Sequence, residues 1–255
     1  RGGMRPEGRP LTLRCSAPSA VQVDTVKEVQ APGTGIDVWF SRLDALRPRI
    51  EEFTAILDRD EIARSSRFRF DVDRERFLLG HGLLRWILGM YTDRRPDELI
   101  FHRGRFGKPF LQDTRIQFNM SDTKDAVAVG VTADIALGVD IETLSRSVDH
   151  EAVSEHYFTP EEVAAMKQAE DPKLRFLEFW TRKEAVLKAS AVGIMDDLRV
   201  LRVDAPENVT TIRHEAFMEM AAPAYDVGTW HIGTEHIVSM AVPEAERPVR
   251  FLGPA

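Results

Sequence analysis

The 255-residue chain has almost no cysteine: the single Cys15 excludes an internal disulfide and a cysteine-based metal scaffold. It lacks any apolar run near the roughly 18 residues that cross a bilayer, so a membrane-spanning helix is not expected. It also lacks an excess of positive charge. With 34 Lys and Arg against 41 Asp and Glu the net charge is −7, which argues against a general nucleic-acid binder. Its seven histidines show no ligand-like spacing, so nothing points to zinc. The opening residues RGGMRPEGRP carry arginines with no apolar stretch behind them, unlike a secretory leader, and the chain reads as cytoplasmic. What is present, 43% apolar and 29% charged residues, is the composition of a folded chain with a sizeable core. A phosphate-bearing ligand of so acidic a chain needs a local basic patch or a metal ion.

Residues 1–35 show no sustained period and read as a mobile N-terminal tail. An element order then appears twice. Ile36 to Phe40 reads as a strand, Asp58 to Phe70 as a helix, Arg74 to Tyr91 as a longer helix, and Phe118 to Ser121 with Ala126 to Val131 as a hairpin. The series returns as a strand from Leu137 to Glu142, a helix from Pro160 to Gln168, a longer helix from Leu174 to Ala191, and a hairpin of Trp230 to Ile232 with Ile237 to Val242. The triplet Arg76-Phe77-Leu78 recurs as Arg175-Phe176-Leu177. Order, spacing and triplet together predict an internal duplication. The expected fold is α+β, two similar halves at 36–136 and 137–245 followed by a C-terminal tail at 246–255, with a ligand cleft between the halves.

Two stretches carry chemistry. In Gly138-Val139-Asp140-Ile141-Glu142 the strand period places Asp140 and Glu142 on one face and turns Val139 and Ile141 into a core. Carboxylates that close repel unless a cation holds both ionised, and magnesium is such an ion; the plain alternative is a strand end with a solvated acidic face. In Phe179 through Ala189, read as helix, Glu184 and Lys188 share one face. They form either a surface ion pair or an acid that joins the metal or acts as base, with a lysine one turn on that reaches a phosphate. Trp180 reads as core or cleft wall.

Taken together, in this order and with 39 residues between Asp140 and Trp180, the stretches resemble the signature of the Sfp-type 4′-phosphopantetheinyl transferases, a G-V-D-x-E strand followed by a W-x-x-K-E-A-x-x-K helix. The resemblance runs from about Asp37 to Val242 and implies two similar α+β halves in one pseudo-dimeric monomer. It implies transfer of the phosphopantetheine arm of coenzyme A to a serine of an acyl or peptidyl carrier protein, with magnesium, or manganese in its place. Asp140, Glu142 and Glu184 would be the metal ligands. Glu184 would also take the serine proton, and Lys188 would meet the pyrophosphate. In the other half Arg64 and Arg76 align with basic residues near the 3′-phosphate, within a cluster of six arginines from Arg64 to Arg85, and Gly107-Lys108-Pro109 matches a turn beside the adenine.

One departure stands out in Phe118-Asn119-Met120-Ser121-Asp122-Thr123. Ser121 fits the family's phosphate-contacting serine, but Asp122 stands where the family has histidine. Either Asp122 turns away, or it pairs with an arginine, or coenzyme binding is weaker. His81 stands where many relatives carry arginine, and either supplies part of the missing charge or packs. The alternative function is a coenzyme A or nucleotide-binding protein of the same fold with weakened or lost transfer. An acidic carrier would need a local apolar or basic docking surface, and the segment from Thr143 through Phe158 is one candidate.

Overall fold

A computed structural model describes residues 7–243 and 246–255. In chain order the first half comprises β1 (Arg9–Cys15), β2 (Ser19–Val21), β3 (Asp24–Val26), β4 (Ile36–Arg42), α1 (Leu43–Leu46), α2 (Ile50–Ala55), α3 (Arg59–Ser66), α4 (Asp71–Thr92), β5 (Phe101–Arg103), β6 (Pro109–Leu111), β7 (Gln117–Thr123) and β8 (Ala126–Thr132). The second half comprises β9 (Gly138–Thr143), α5 (His150–Tyr157), α6 (Pro160–Gln168), α7 (Pro172–Ser190), β10 (Glu207–Ile212), α8 (Glu215–Met220), β11 (Ala224–Ile232), β12 (His236–Pro243) and β13 (Val249–Pro254).

The duplication is visible in the strand order. One sheet contains β4, β8 and β7 side by side, and the other contains β9, β12 and β11, antiparallel throughout both trios. Each trio backs a long helix, α4 or α7, over its own core. A third core, including Ile36 and Val38, Ala126 and Ala128, and Val139 and Ile141, fills the space between the sheets. Burial of aliphatic faces on both sides of a sheet is the main term holding such layers together.

Each half repeats one buried device. The helix before the long helix starts with a capping box, Asp58 with Glu61 on α3 and Thr159 with Glu162 on α6. A fully buried cation from the long helix then meets the capping glutamate. Arg85 lies 2.6 Å from Glu61 and donates to the carbonyls of Pro96 and Leu99. Lys183 lies 2.7 Å from Glu162 and donates to the carbonyls of Leu198 and Leu201. Buried ions survive only when paired and hydrogen-bonded in this way. Arg85 therefore leaves the arginine cluster read from the sequence, because it is interior.

Both expected tails need correction. Residues 9–26 are paired: β1 lies between β10 and β11, with Leu11, Leu13 and Cys15 turned inward, so the first strand completes the sheet of the second half. Residues 249–254 form β13, which pairs with β4 in the sheet of the first half. The period-two alternation of Leu11, Leu13 and Cys15 was the signal that marks β1 as a strand. Residues 1–6 of the expected tail lie outside the described residues.

Candidate active site

The site forms where strand β7 of one sheet meets the open edge of β9 in the other. An edge strand presents unpaired N–H and C=O groups, and here side chains satisfy them. The N–H of Val139 donates to Asn119 Oδ1 at 2.8 Å, and that of Ile141 to Ser121 Oγ at 3.1 Å. The carbonyl of Leu137 accepts from Lys108 Nζ at 2.7 Å, and that of Val139 from Lys188 Nζ at 3.0 Å. The same contacts aim the carboxylates. Ser121 Oγ donates to Asp140 Oδ1 at 3.0 Å, Lys188 Nζ lies 3.3 Å from that oxygen, and Thr123 Oγ1 donates to Glu142 Oε2 at 3.5 Å. Arg146 pairs with Glu142 Oε1.

Helix α7 brings Glu184 and Lys188 over this edge because Gly138 has no side chain. A Cβ there would stand 2.0 Å from the carbonyl oxygen of Ala185 and 2.4 Å from the nitrogen of Ala189. The neighbouring Lys183 belongs to the interior, whereas Glu184 and Lys188 are half-buried and face the cleft.

The electrostatics of the three acids point one way. Burial raises the Asp140 carboxyl above the ordinary range, against the pull of Lys188 and Ser121. Burial and the nearby Asp140 raise Glu142, and Arg146 opposes them. Burial, then Asp140, push Glu184 up to about 7, with Lys188 opposing and Glu142 adding. Asp140 Oδ2 is buried and has no hydrogen-bond partner. A buried, unpartnered carboxylate oxygen beside two further acids is the donor set that a hard divalent cation satisfies, so these residues fit a magnesium ion. Among the described residues, however, the gathering of three His, Cys, Asp or Glu ligand atoms within 4.8 Å of one another is Asp125, Glu235 and His236 rather than this triad. Those three already have protein partners: His236 Nε2 lies 2.9 Å from Asp125 and Glu235 lies 2.9 Å from Arg42, so the group ties hairpin turns of the two halves together.

A cleft of about 470 Å³ adjoins the edge, lined by Lys108, Glu184 and Lys188 with Tyr157, Trp180 and Met195 among its apolar walls. Trp180 stacks on Phe176 and meets Tyr157 edge-on, so it is wall. A smaller pocket of about 160 Å³ holds Arg64, His81 and Arg103, and shares Pro109, Asn119 and Met120 with the cleft. Arg103 was not singled out from the sequence, since a lone arginine on a short strand carries no pattern. Gly107 takes φ +91°, so the turn before Lys108 suits glycine, and Gly107, Lys108 and Pro109 all line the cleft. Burial and the neighbouring Lys188 lower Lys108 to about 8.

The two departures resolve differently. Asp122 pairs with Arg76 Nε at 3.6 Å, and Arg76 also holds Asp73 at 3.0 Å. Arg64 instead packs over Phe77 beside the smaller pocket, so the two aligned arginines serve different places. His81 supplies no charge at neutral pH. Burial, reinforced by Arg64, Arg103 and Arg85, pushes it down to about 4, while its Nδ1–H donates to the carbonyl of Phe77.

Comparisons with known proteins agree with this geometry. Residues 136–241 match the 4′-phosphopantetheinyl transferase superfamily, and residues 44–133 match the N-terminal region of 4′-phosphopantetheinyl transferases. The chain is 33% identical over 165 residues to the 4′-phosphopantetheinyl transferase HetI of Nostoc sp., covering 62% of this chain and 70% of that protein. It is 32% identical over 200 residues to a phosphopantetheinyl transferase of Thraustochytrium sp., covering 70% of this chain and 68% of that protein. It is 32% identical over 151 residues to the 4′-phosphopantetheinyl transferase psf-1 of Bacillus pumilus, covering 58% and 64% respectively. With two matched halves meeting at a carboxylate-lined strand edge, and relatives of this kind, the chain belongs to the 4′-phosphopantetheinyl transferase superfamily.

Proposed function

We propose that this chain transfers the 4′-phosphopantetheine arm of coenzyme A to a serine of an acyl or peptidyl carrier protein, releasing adenosine 3′,5′-bisphosphate. The observation that carries this reading is the convergence of Asp140, Glu142, Glu184 and Lys188 on one strand edge beside a cleft of about 470 Å³.

The smaller pocket, with Arg64 and Arg103, suits the nucleotide end of the coenzyme, and the arm runs past Pro109 and Met120 into the larger cleft. Magnesium, or manganese in its place, would be held by Asp140, Glu142 and Glu184 and would neutralise the pyrophosphate oxygens. Glu184, half-buried and facing the cleft, accepts the proton from the carrier serine as that oxygen attacks the β-phosphate. Lys188, held between Val139 and Asp140, offsets the charge that builds on the departing bisphosphate. Ser121 and Asn119 keep the edge of β9 in place; Ser121 gives its hydroxyl proton to Asp140, so its role is to position the carboxylate. Tyr157, Trp180 and Met195 limit water around the arm. The interface between the halves is filled within one chain, which supports action as a monomer.

Intact mass of an apo carrier after incubation with enzyme, coenzyme A and magnesium tests the proposal. The carrier gains one phosphopantetheine, EDTA abolishes the gain, and Glu184→Gln lowers kcat by roughly 10²–10⁴ with coenzyme binding retained. Acyl and peptidyl carriers that both stay unmodified, while coenzyme A still binds, would favour the binding-protein alternative.

A further inference from the structure

The connection from α3 into α4 turns an unusual set of side chains to solvent. Phe68, Phe70 and Val72 are 41%, 57% and 68% exposed. Arg67, Arg69 and Arg74 alternate with them and are exposed too. None of the three is in an ion pair among the described residues, and Arg69 lies 5.3 Å from the centre of the Phe70 ring. Of the acids nearby, Asp73 pairs with Arg76 and Glu75 with Arg47, which leaves Asp71 against three free arginines. Contiguous exposed apolar groups mark interaction surfaces, and arginine, weakly hydrated and able to stack on aromatic rings, is enriched at protein interfaces together with the aromatic residues. In a chain with net charge −7, this surface selects an acidic partner.

The strip borders the site. Phe68 packs on Phe77 at 5.6 Å, and Arg64 of the smaller pocket lies over the same ring at 5.1 Å. Arg76, two residues past Arg74, pairs with Asp122, next along β7 from the Ser121 that holds Asp140. The other surface beside the cleft, α5, exposes Glu151 and Glu155 and repels an acidic partner. The segment from Thr143 through Phe158 is the competing docking face, and the α5 variant below tests it.

We infer that the strip from Arg67 to Arg74 docks the protein that bears the acceptor serine, through an acidic amphipathic helix whose carboxylates meet Arg67, Arg69 and Arg74 and whose apolar side chains cover Phe68, Phe70 and Val72. The inference rests on the transferase reading and names the surface by which its second substrate is recognised. Complementary charge of this kind acts mainly on encounter and weakens with salt.

Two variants test it, R67E/R69E/R74E and F70A/V72A, with E151K/E155K on α5 as the comparison. The probes are an apo acyl carrier protein and an apo peptidyl carrier protein, each also made with its acceptor serine replaced by alanine for binding by fluorescence anisotropy. Both strip variants raise the KM for the carrier about tenfold or more while kcat stays unchanged, which also shows that they fold, and F70A/V72A keeps the calorimetric Kd for coenzyme A. The salt dependence of the carrier KM seen with the unaltered protein is lost in R67E/R69E/R74E. If transfer proceeds and the strip variants keep the original KM, or E151K/E155K alone raises it, the docking assignment is wrong and the transferase reading stands. If a serine-less carrier binds through the strip but no apo carrier is modified, the transferase reading fails and the docking surface stands. No binding and no transfer with either carrier overturns both.

Discussion

Neighbouring residues on α7 have divided roles, and burial is what divides them. Lys183 is sealed against Glu162 and two carbonyls, whereas Glu184, one position on, opens to the cleft. The sequence motif names both lysines and the glutamate without separating structure from chemistry, because helical spacing fixes which face a residue takes but not what lies opposite. The same limit applies at Asp122, whose partner Arg76 comes from a helix far along the chain. Asp122→His removes a carboxylate 3.6 Å from that guanidinium and leaves Asp73 to hold Arg76 in place. Coenzyme A should then bind more tightly by up to about tenfold at low salt, with the gain shrinking as salt rises, by titration calorimetry. Weaker binding would mean that Asp122 orients Arg76 for the phosphate. His81 gives a second prediction, in stability. Its pKa falls from an ordinary 6.5 to about 4 through burial, then the arginines around it. Above pH 6.5 both folded and unfolded states are neutral there, and below it the unfolded chain takes up a proton that the folded chain refuses. The folded state therefore loses stability as pH falls from 6.5 toward 4, by about 3 kcal/mol in all. Denaturant titrations across that range should show a shallower loss for His81→Gln; equal slopes would place the acid sensitivity elsewhere.

At the scale of elements, the distance between β9 and α7 decides whether Asp140 and Glu184 can act on one ligand. Gly138 sets that distance, since a methyl group there would meet the helix backbone, which cannot rotate away as a side chain can. Gly138→Ala should lower the melting temperature and weaken metal-dependent coenzyme binding together, although it touches no ligand; calorimetry with and without magnesium would read both effects. Intact coenzyme binding in a less stable variant would show that the helix shifts without moving Lys188 away from Val139 and Asp140. Both elements were legible beforehand: Val139 and Ile141 alternate with Asp140 and Glu142 as a strand requires, and the helical period runs through Phe179 to Ala189 without a breaker. Strand β7 was legible as half of a hairpin. That Asn119, Ser121 and Thr123 would cap another sheet's edge was not, because such pairing joins residues about 20 apart by tertiary contact alone. The Arg-Phe-Leu triplet pointed correctly to two like halves. Counted from it, Arg85 stands nine residues on and Lys183 eight, so the repeated buried cation has slipped by one helix position, and no pattern of residue types shows that.

Across the whole molecule, the two ends of the chain are exchanged. Strand β1 is built into the sheet of the second half and β13 into that of the first, so each half is completed by a segment encoded beside the other. A break in the connection at residues 133–136 would thus yield two fragments that each lack part of their own sheet, the first carrying β1 and β2 of the other's sheet and the second carrying β13 of the first's. Neither fragment alone can close its sheet, and both would expose aliphatic surface from the shared layer of Val38, Val139 and Ile141. Produced together they should recombine into a one-to-one complex with the carboxylates of β9 restored beside β7, detectable by co-purification and by recovered coenzyme binding. The chain can in this sense be cut in two and still be one protein, with its ends acting as reciprocal keys.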